Sequence, residues 1–113
     1  MENPYLSVII PAFNEEMRIV SSLTKIVDYL GKQSYVWEII VVDDGSSDST
    51  PSVVENYVKS HPEVHLETIQ HSGKGQAIKH GILNATGKYR FTCDADLSMP
   101  IEHLNHFLLN MNK

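Results

Sequence analysis

The 113-residue chain has one cysteine, Cys93, so no intrachain disulfide can hold it together, and a reducing compartment fits this usage. It also lacks any apolar run approaching the roughly 20 residues needed to cross a bilayer. Its first residues, Met1 to Ser7, carry Glu2 and Pro4 where a leader would be basic and then apolar, so neither a signal peptide nor a membrane span is expected. Positive charge is scarce as well. Nine Lys and Arg against fourteen Asp and Glu give a formal charge of −5, which argues against a broad electrostatic footprint for nucleic acid. Six glycines and five prolines are too few for a collagen-like or disordered chain, and no internal repeat, linker or low-complexity tract interrupts the sequence. What remains, at 42% hydrophobic and 20% charged residues, is the composition of one globular domain.

Apolar residues cluster in two continuous β-branched runs, Leu6 to Ile10 and Glu38 to Val42. Runs that do not alternate predict strands covered on both faces. The first is expected to stop at Pro11, where a backbone donor is lost. After it, Asn14 stands as a helix cap with Glu15 and Glu16 in the first turn, and Ile19, Val20, Leu23, Ile26, Val27 and Leu30 recur at helical spacing up to Gly31. Thr50 before Pro51 caps a second helix with a stripe of Val53, Val54, Tyr57 and Val58, closed by His61 and Pro62. Val64 to Ile69 alternates, which predicts a strand nearer an edge of the sheet.

Gly75 to Ala85 places Ala77, Ile78, Gly81, Ile82 and Ala85 on one helical face, with Gly87 set to end the helix and Gly81 implying close packing on a sheet. Tyr89 to Cys93 is a fourth strand, and a last helix is expected from Ile101 to Met111, burying Ile101, Leu104, Leu108 and Met111. Strands alternating with helices through short connections predict an α/β fold with a mostly parallel sheet covered by helices on both faces. Right-handed crossovers give the strand order 3-2-1-4, and ligands in such sheets bind beyond the carboxyl ends of the strands at the switch point. That topology gathers the loops at Pro11 to Glu15, Asp43 to Ser47 and Asp94 to Asp96 around one crevice, although they are distant in sequence.

Those loops carry the chemistry. Asp94 and Asp96, two residues apart after a strand, leave an extended backbone on the same side, and two carboxylates that close suit a hard divalent ion such as Mg²⁺ or Mn²⁺ shared with a diphosphate. Taken alone, the pair reads equally well as a solvated acidic turn. Asp43 and Asp44 end the neighbouring strand and can accept hydrogen bonds from a ribose diol or a pyrimidine N–H; taken alone, they read as an Asx-type turn before the next helix. Gly73-Lys74-Gly75 offers a phosphate a point charge and a helix N-terminus, but matches neither the Walker loop nor the dinucleotide fingerprint. The pairs His61/His65 and His103/His106 lack a third ligand at zinc-site spacing, and Cys93 in an apolar strand reads as a small core residue.

Taken together, Ser7 to Glu16, Glu38 to Asp48, Gly73-Lys74-Gly75 and Asp94 to Ser98 resemble the N-terminal half of a family 2 glycosyltransferase with the GT-A fold. Within that family the sequence is most similar to the dolichyl- or polyprenyl-phosphate glucosyl- and mannosyltransferases. The resemblance implies that Pro11, Ala12, Phe13 and Glu15 line a base and ribose pocket, that Asp44 and Asp43 hydrogen-bond the nucleoside, and that Asp94, Ala95 and Asp96 form the metal and nucleotide-sugar motif. It implies a UDP- or GDP-sugar donor, Mg²⁺ or Mn²⁺ as cofactor, inversion at the anomeric carbon, and a polyprenyl-phosphate or other glycan acceptor. It also implies a cytoplasmic enzyme, membrane-associated in its full-length form. In the family the chain continues past the metal motif, so residues 1–113 are expected to be the donor-binding part, truncated before the catalytic base and inactive alone. The alternative from another class is a non-catalytic nucleotide-binding or assembly module, self-associating through an exposed sheet edge.

Overall fold

The computed structural model describes residues 3–96 and Leu104. Its elements are β1 (Leu6–Ala12), α1 (Ile19–Leu30), β2 (Trp37–Asp44), α2 (Thr50–Val58), β3 (Val64–Ile69), α3 (Lys74–Asn84) and β4 (Tyr89–Thr92). The four strands form one sheet in the order β3-β2-β1-β4, with every pair parallel, as the alternating pattern predicts. β1 is buried along its whole length and β2 along all but Trp37, which accounts for their unbroken apolar runs. β3, with its weaker alternation, lies at the margin.

Strand alternation divides the core into two. Leu6, Val8 and Ile10 of β1 with Ile39 and Val41 of β2 meet Ile19, Leu23, Ile26 and Leu30 of α1 and Val54 of α2. On the other face Ile9, Ile40 and Val42 meet Ala77 and Ile82 of α3. There the helix comes close: a Cβ built on Gly81 would lie 2.5 Å from Ile9 Cγ2, so the expected tight packing is present and only glycine fits. Of the last expected helix, Leu104 is helical and fully buried in the α1-side core, and the rest lies outside the described residues.

Four boundaries differ from expectation, each for a local reason. β1 runs on through Pro11 to Ala12, pairing Pro11 with Val42. The carbonyl of Ile9 faces β4, and so does the edge of Pro11 two residues on; pairing with β4 already ends at Ile9, so the missing donor breaks no ladder bond. Asn14 does not cap α1: it adopts φ 54° in a turn, and the helix begins at Ile19. Thr50 is the first residue of α2 rather than its cap, and its N–H donates to the Asp48 carboxylate at 2.9 Å. Gly87 does not end α3, which stops at Asn84 with Ala85 extended. Instead, a Cβ on Gly87 would meet Ser7 N at 2.6 Å.

That close approach belongs to a buried polar knot at the amino end of the sheet. Ser7 Oγ donates to Glu38 Oε2 at 2.5 Å and accepts from Gly87 N at 2.8 Å, while Thr86 N donates to the same carboxylate oxygen at 2.9 Å. Burial pushes the Glu38 carboxyl up, but the hydrogen bonds from Ser7 and Thr86, with His65 nearby, outweigh it and leave the group below its usual value. The knot ties the segment entering β4 to β1 and β2. Among the described residues no helix is long and apolar enough to cross a membrane.

Candidate functional site

A parallel sheet brings all its carboxyl ends to one edge, and here the loops leaving β1, β2 and β4 and the loop into α3 enclose a crevice of about 390 Å³. Pro11, Ala12, Phe13 and Glu15 come from the end of β1, and Asp44 from the end of β2. His71, Gly73 and Lys74 come from the entry to α3, and Asp94, Ala95 and Asp96 follow β4. Of the residues that the family resemblance assigns to the site, Asp43 alone does not line it. Asp43 is 2% exposed, and its carboxylate accepts from Ser46 Oγ at 2.5 Å and Ser46 N at 3.1 Å, holding the turn through Gly45.

Asp44 has a double place. The residue lines the crevice, and its nearly buried carboxylate organises the loop before α3, accepting from Ser72 N at 2.8 Å and Gly73 N at 3.0 Å. Gly45, at φ 69°, packs so tightly under this loop that a Cβ would stand 2.6 Å from His71 N. The His71 ring lies 3.0 Å from the Asp44 carboxylate and stacks on Phe13, with centroids 4.4 Å apart and planes at 28°. Phe13 is 43% exposed, so the pair offers a flat aromatic wall to the crevice.

Asn14 explains why the first two loops stay together. Its side-chain oxygen accepts from Ser47 N at 2.9 Å and Asp48 N at 3.3 Å, and its own N–H donates to Ser46 Oγ at 2.9 Å. Glu15 N adds a bond to Thr50 Oγ1 at 2.9 Å. The left-handed backbone at Asn14 is tolerated by this residue type better than by most. On the other side, Ser22 Oγ of α1 donates to the carbonyl of Ala95 and fixes the loop after β4 to the helix.

Acids in the crevice are met by cations. Lys74 Nζ lies 2.5 Å from Asp94 Oδ1. Arg18 Nη2 lies 2.5 Å from Glu15 Oε1 and Nη1 3.9 Å from Asp96 Oδ2. Hydrogen bonding and charge from Glu15 raise the Arg18 pKa further, so it is a permanent cation. Arg18 and His71 are the two site residues that pattern reading left without a role. Arg18 carried no signal, being one surface arginine before a helix, whereas the position of His71 beside Gly73-Lys74-Gly75 did point to the site. Cys93 next to the acids is no nucleophile, since burial and then Asp94 push its thiol up to about 12.

Among the described residues no three His, Cys, Asp or Glu side chains gather into a metal cage. Asp94 and Asp96 do supply two partly exposed oxygen ligands beside open crevice, and an ammonium already sits on one of them. That donor set fits a hard divalent ion which takes its remaining ligands from water and phosphate.

The strand order and the acidic crevice at its switch point define a Rossmann-like α/β domain of the GT-A type. The family described as Glycosyl transferase family 2 matches residues 7–113, and the chain belongs to that family. It is 39% identical over 113 residues to the dolichyl-phosphate beta-glucosyltransferase of Dictyostelium discoideum, covering 93% of this chain and 35% of that protein. The Drosophila melanogaster enzyme of the same name is 42% identical over 99 residues, covering 80% and 30%. Among solved structures, the mannosyltransferase PcManGT of Pyrobaculum calidifontis, in complex with GDP-Man and Mn²⁺, superposes with a TM-score of 0.68 at 32% identity, covering 85% of this chain and 28% of that one. S. aureus TarS in complex with UDP-GlcNAc gives 0.67 at 28% identity, covering 95% and 31%. The chain spans about a third of the length of the relatives it matches.

Proposed function

We propose that this chain is the donor-binding part of a glycosyltransferase that holds a UDP- or GDP-sugar together with Mg²⁺ or Mn²⁺, for transfer of a hexose to an acceptor such as polyprenyl phosphate. The observation that carries this reading is the meeting of Asp94 and Asp96 with Asp44 and the Phe13–His71 wall around one crevice, in a family 2 chain. The relatives named dolichyl-phosphate beta-glucosyltransferase support the acceptor, and the GDP-Man, Mn²⁺ and UDP-GlcNAc complexes of the structural neighbours support the donor and metal.

In this reading the nucleobase lies against the Phe13–His71 wall, a stack of the kind that aromatic faces favour. Asp44, with lone-pair capacity beyond its loop N–H partners, accepts from the nucleoside, and Glu15 faces the ribose. Asp94 and Asp96 would hold a divalent ion, whose chemistry when bound would be Lewis-acid neutralisation of the diphosphate. With the crevice carboxylates taken up in this reading by the nucleoside, the ribose and the metal, no described residue is assigned as catalytic base. The enzyme would be cytoplasmic and work at a membrane surface, where a polyprenyl acceptor resides.

Calorimetric titration with UDP and with GDP, each with and without Mn²⁺, tests the reading. Metal-enhanced binding of one nucleotide, lost in Asp96→Ala with the fold intact by circular dichroism, is the expected result. Binding that Asp96→Ala leaves unchanged would sink the metal assignment.

A further inference from the structure

We propose that Lys74 is a placeholder cation, which occupies the carboxylate of Asp94 until a divalent ion takes its position and then swings to the diphosphate of the bound nucleotide. The inference rests on the donor-site reading above and adds to it an exchange of partners. Its first support is charge balance. Among the described residues Glu15, Asp44, Asp94 and Asp96 line the crevice, His71 lies against Asp44, and the permanent cations paired with these acids are Arg18 and Lys74, so carboxylates outnumber permanent cations. A divalent ion redresses that imbalance. A diphosphate then brings fresh negative charge, and a released ammonium is available to meet it.

The second support is the difference between the two cations. Arg18 is anchored on Glu15 at 2.5 Å and reaches Asp96 only at 3.9 Å, so metal at Asp96 need not displace it. Lys74 sits directly on Asp94 at 2.5 Å, on the ligand itself. Its side chain is 63% exposed and that of Asp94 42%, and exposed pairs of this kind hold weakly. A strongly hydrated ammonium on a flexible stem is easily moved, and a Cβ on neighbouring Gly75 would find no heavy atom within 4 Å.

Third, Lys74 is the first residue of α3, where the helix dipole disfavours a cation. A nearby anion offsets this, and exchanging Asp94 for a diphosphate at the same helix terminus keeps one beside it.

The exchange predicts effects of opposite sign from one substitution. In the intact protein, Lys74→Gln removes the competitor for Asp94, so Mn²⁺ without nucleotide should bind about three- to tenfold tighter by electron paramagnetic resonance titration. UDP or GDP with saturating Mn²⁺ should bind on the order of tenfold weaker by calorimetry, through loss of a charge-assisted contact. Lys74→Arg, which keeps the charge, should stay near wild type in the nucleotide titration and serves as a second variant. Mn²⁺ affinity unchanged or weaker in Lys74→Gln overturns the placeholder role while wild-type Mn²⁺-dependent nucleotide binding still upholds the donor site. Unchanged nucleotide affinity overturns the swing to the diphosphate. Wild-type protein that binds neither Mn²⁺ nor Mn²⁺-nucleotide overturns both readings together.

Discussion

Replacing Glu38 should cost more than its place far from the crevice suggests. Its carboxylate oxygen accepts from Ser7 Oγ at 2.5 Å, Thr86 N at 2.9 Å and Thr86 Oγ1 at 3.1 Å. In Glu38→Ala the donors of exposed Thr86 can turn to water, whereas the fully buried Ser7 hydroxyl cannot. An unmet buried donor costs roughly 1–3 kcal/mol, and the partly compensated pair adds about 0.5–1 kcal/mol, giving about 1.5–4 kcal/mol in all. At an unfolding entropy of about 2.1 cal/mol/K per residue, a chain of this size loses roughly 4 °C of melting temperature per kcal/mol, so the midpoint should fall by about 6–17 °C. Glu38→Gln keeps the shape and an acceptor oxygen and should lose only about 1 kcal/mol.

The same carboxylate sets a pH dependence. Because its folded pKa lies below the usual 4.5, the unfolded chain takes up the proton first; the stabilisation is complete above that value and is lost as pH falls through the folded pKa. Thermal melts by circular dichroism from pH 7 to pH 3 should show this loss in wild type and a shallower slope in Glu38→Gln. A Glu38→Ala midpoint within about 3 °C of wild type at pH 7 would refute the reasoning, since it would mean that the Ser7 donor finds another partner at no cost.

Two other outcomes follow from the loops. Asn14→Ala removes the acceptor for Ser47 N and Asp48 N and puts alanine at φ 54°, so stability should drop by about 1–2 kcal/mol and nucleotide affinity should fall with it. Asn14→Gly, which relieves the backbone but not the lost acceptor, should recover only part of the stability in denaturant titration. Cys93, its thiol pushed up to about 12, should react with a disulfide reagent at pH 8 at least about a hundredfold slower in the native protein than in urea; equal rates would contradict its burial.

How much of this was legible in the sequence depended on the range of the interactions. The unbroken runs of β1 and β2 reported their two-sided burial directly, and with the crossover rule they placed three distant loops at one crevice. The alternation of β3 marked its marginal position in the same way. Asn14 was misread because its side chain is spent on Ser47 and Asp48, more than thirty residues away, and not on the helix beside it. Gly87 looked like a helix stop, but its reason is Ser7, eighty residues earlier. Asp43 and Asp44 look equivalent as neighbours, yet strand alternation sends one carboxylate into its own turn and the other to the crevice. Local patterns report propensity and burial; they do not report which distant partner a polar group has found.

The contact at Gly81 makes α3 a lever. Its tightest point against the sheet lies seven residues from Lys74, roughly 10 Å along the helix at 1.5 Å per residue. Pivoting there by only about 6° would carry the helix terminus about 1 Å across the crevice, by the same rise per residue. A side chain added at Gly81, touching no ligand, would wedge against Ile9 and Val42 and re-aim the ammonium at the far end. The reach of Lys74 is thus set at a point two helical turns away, in the apolar interior, where a single methyl group is enough to alter it.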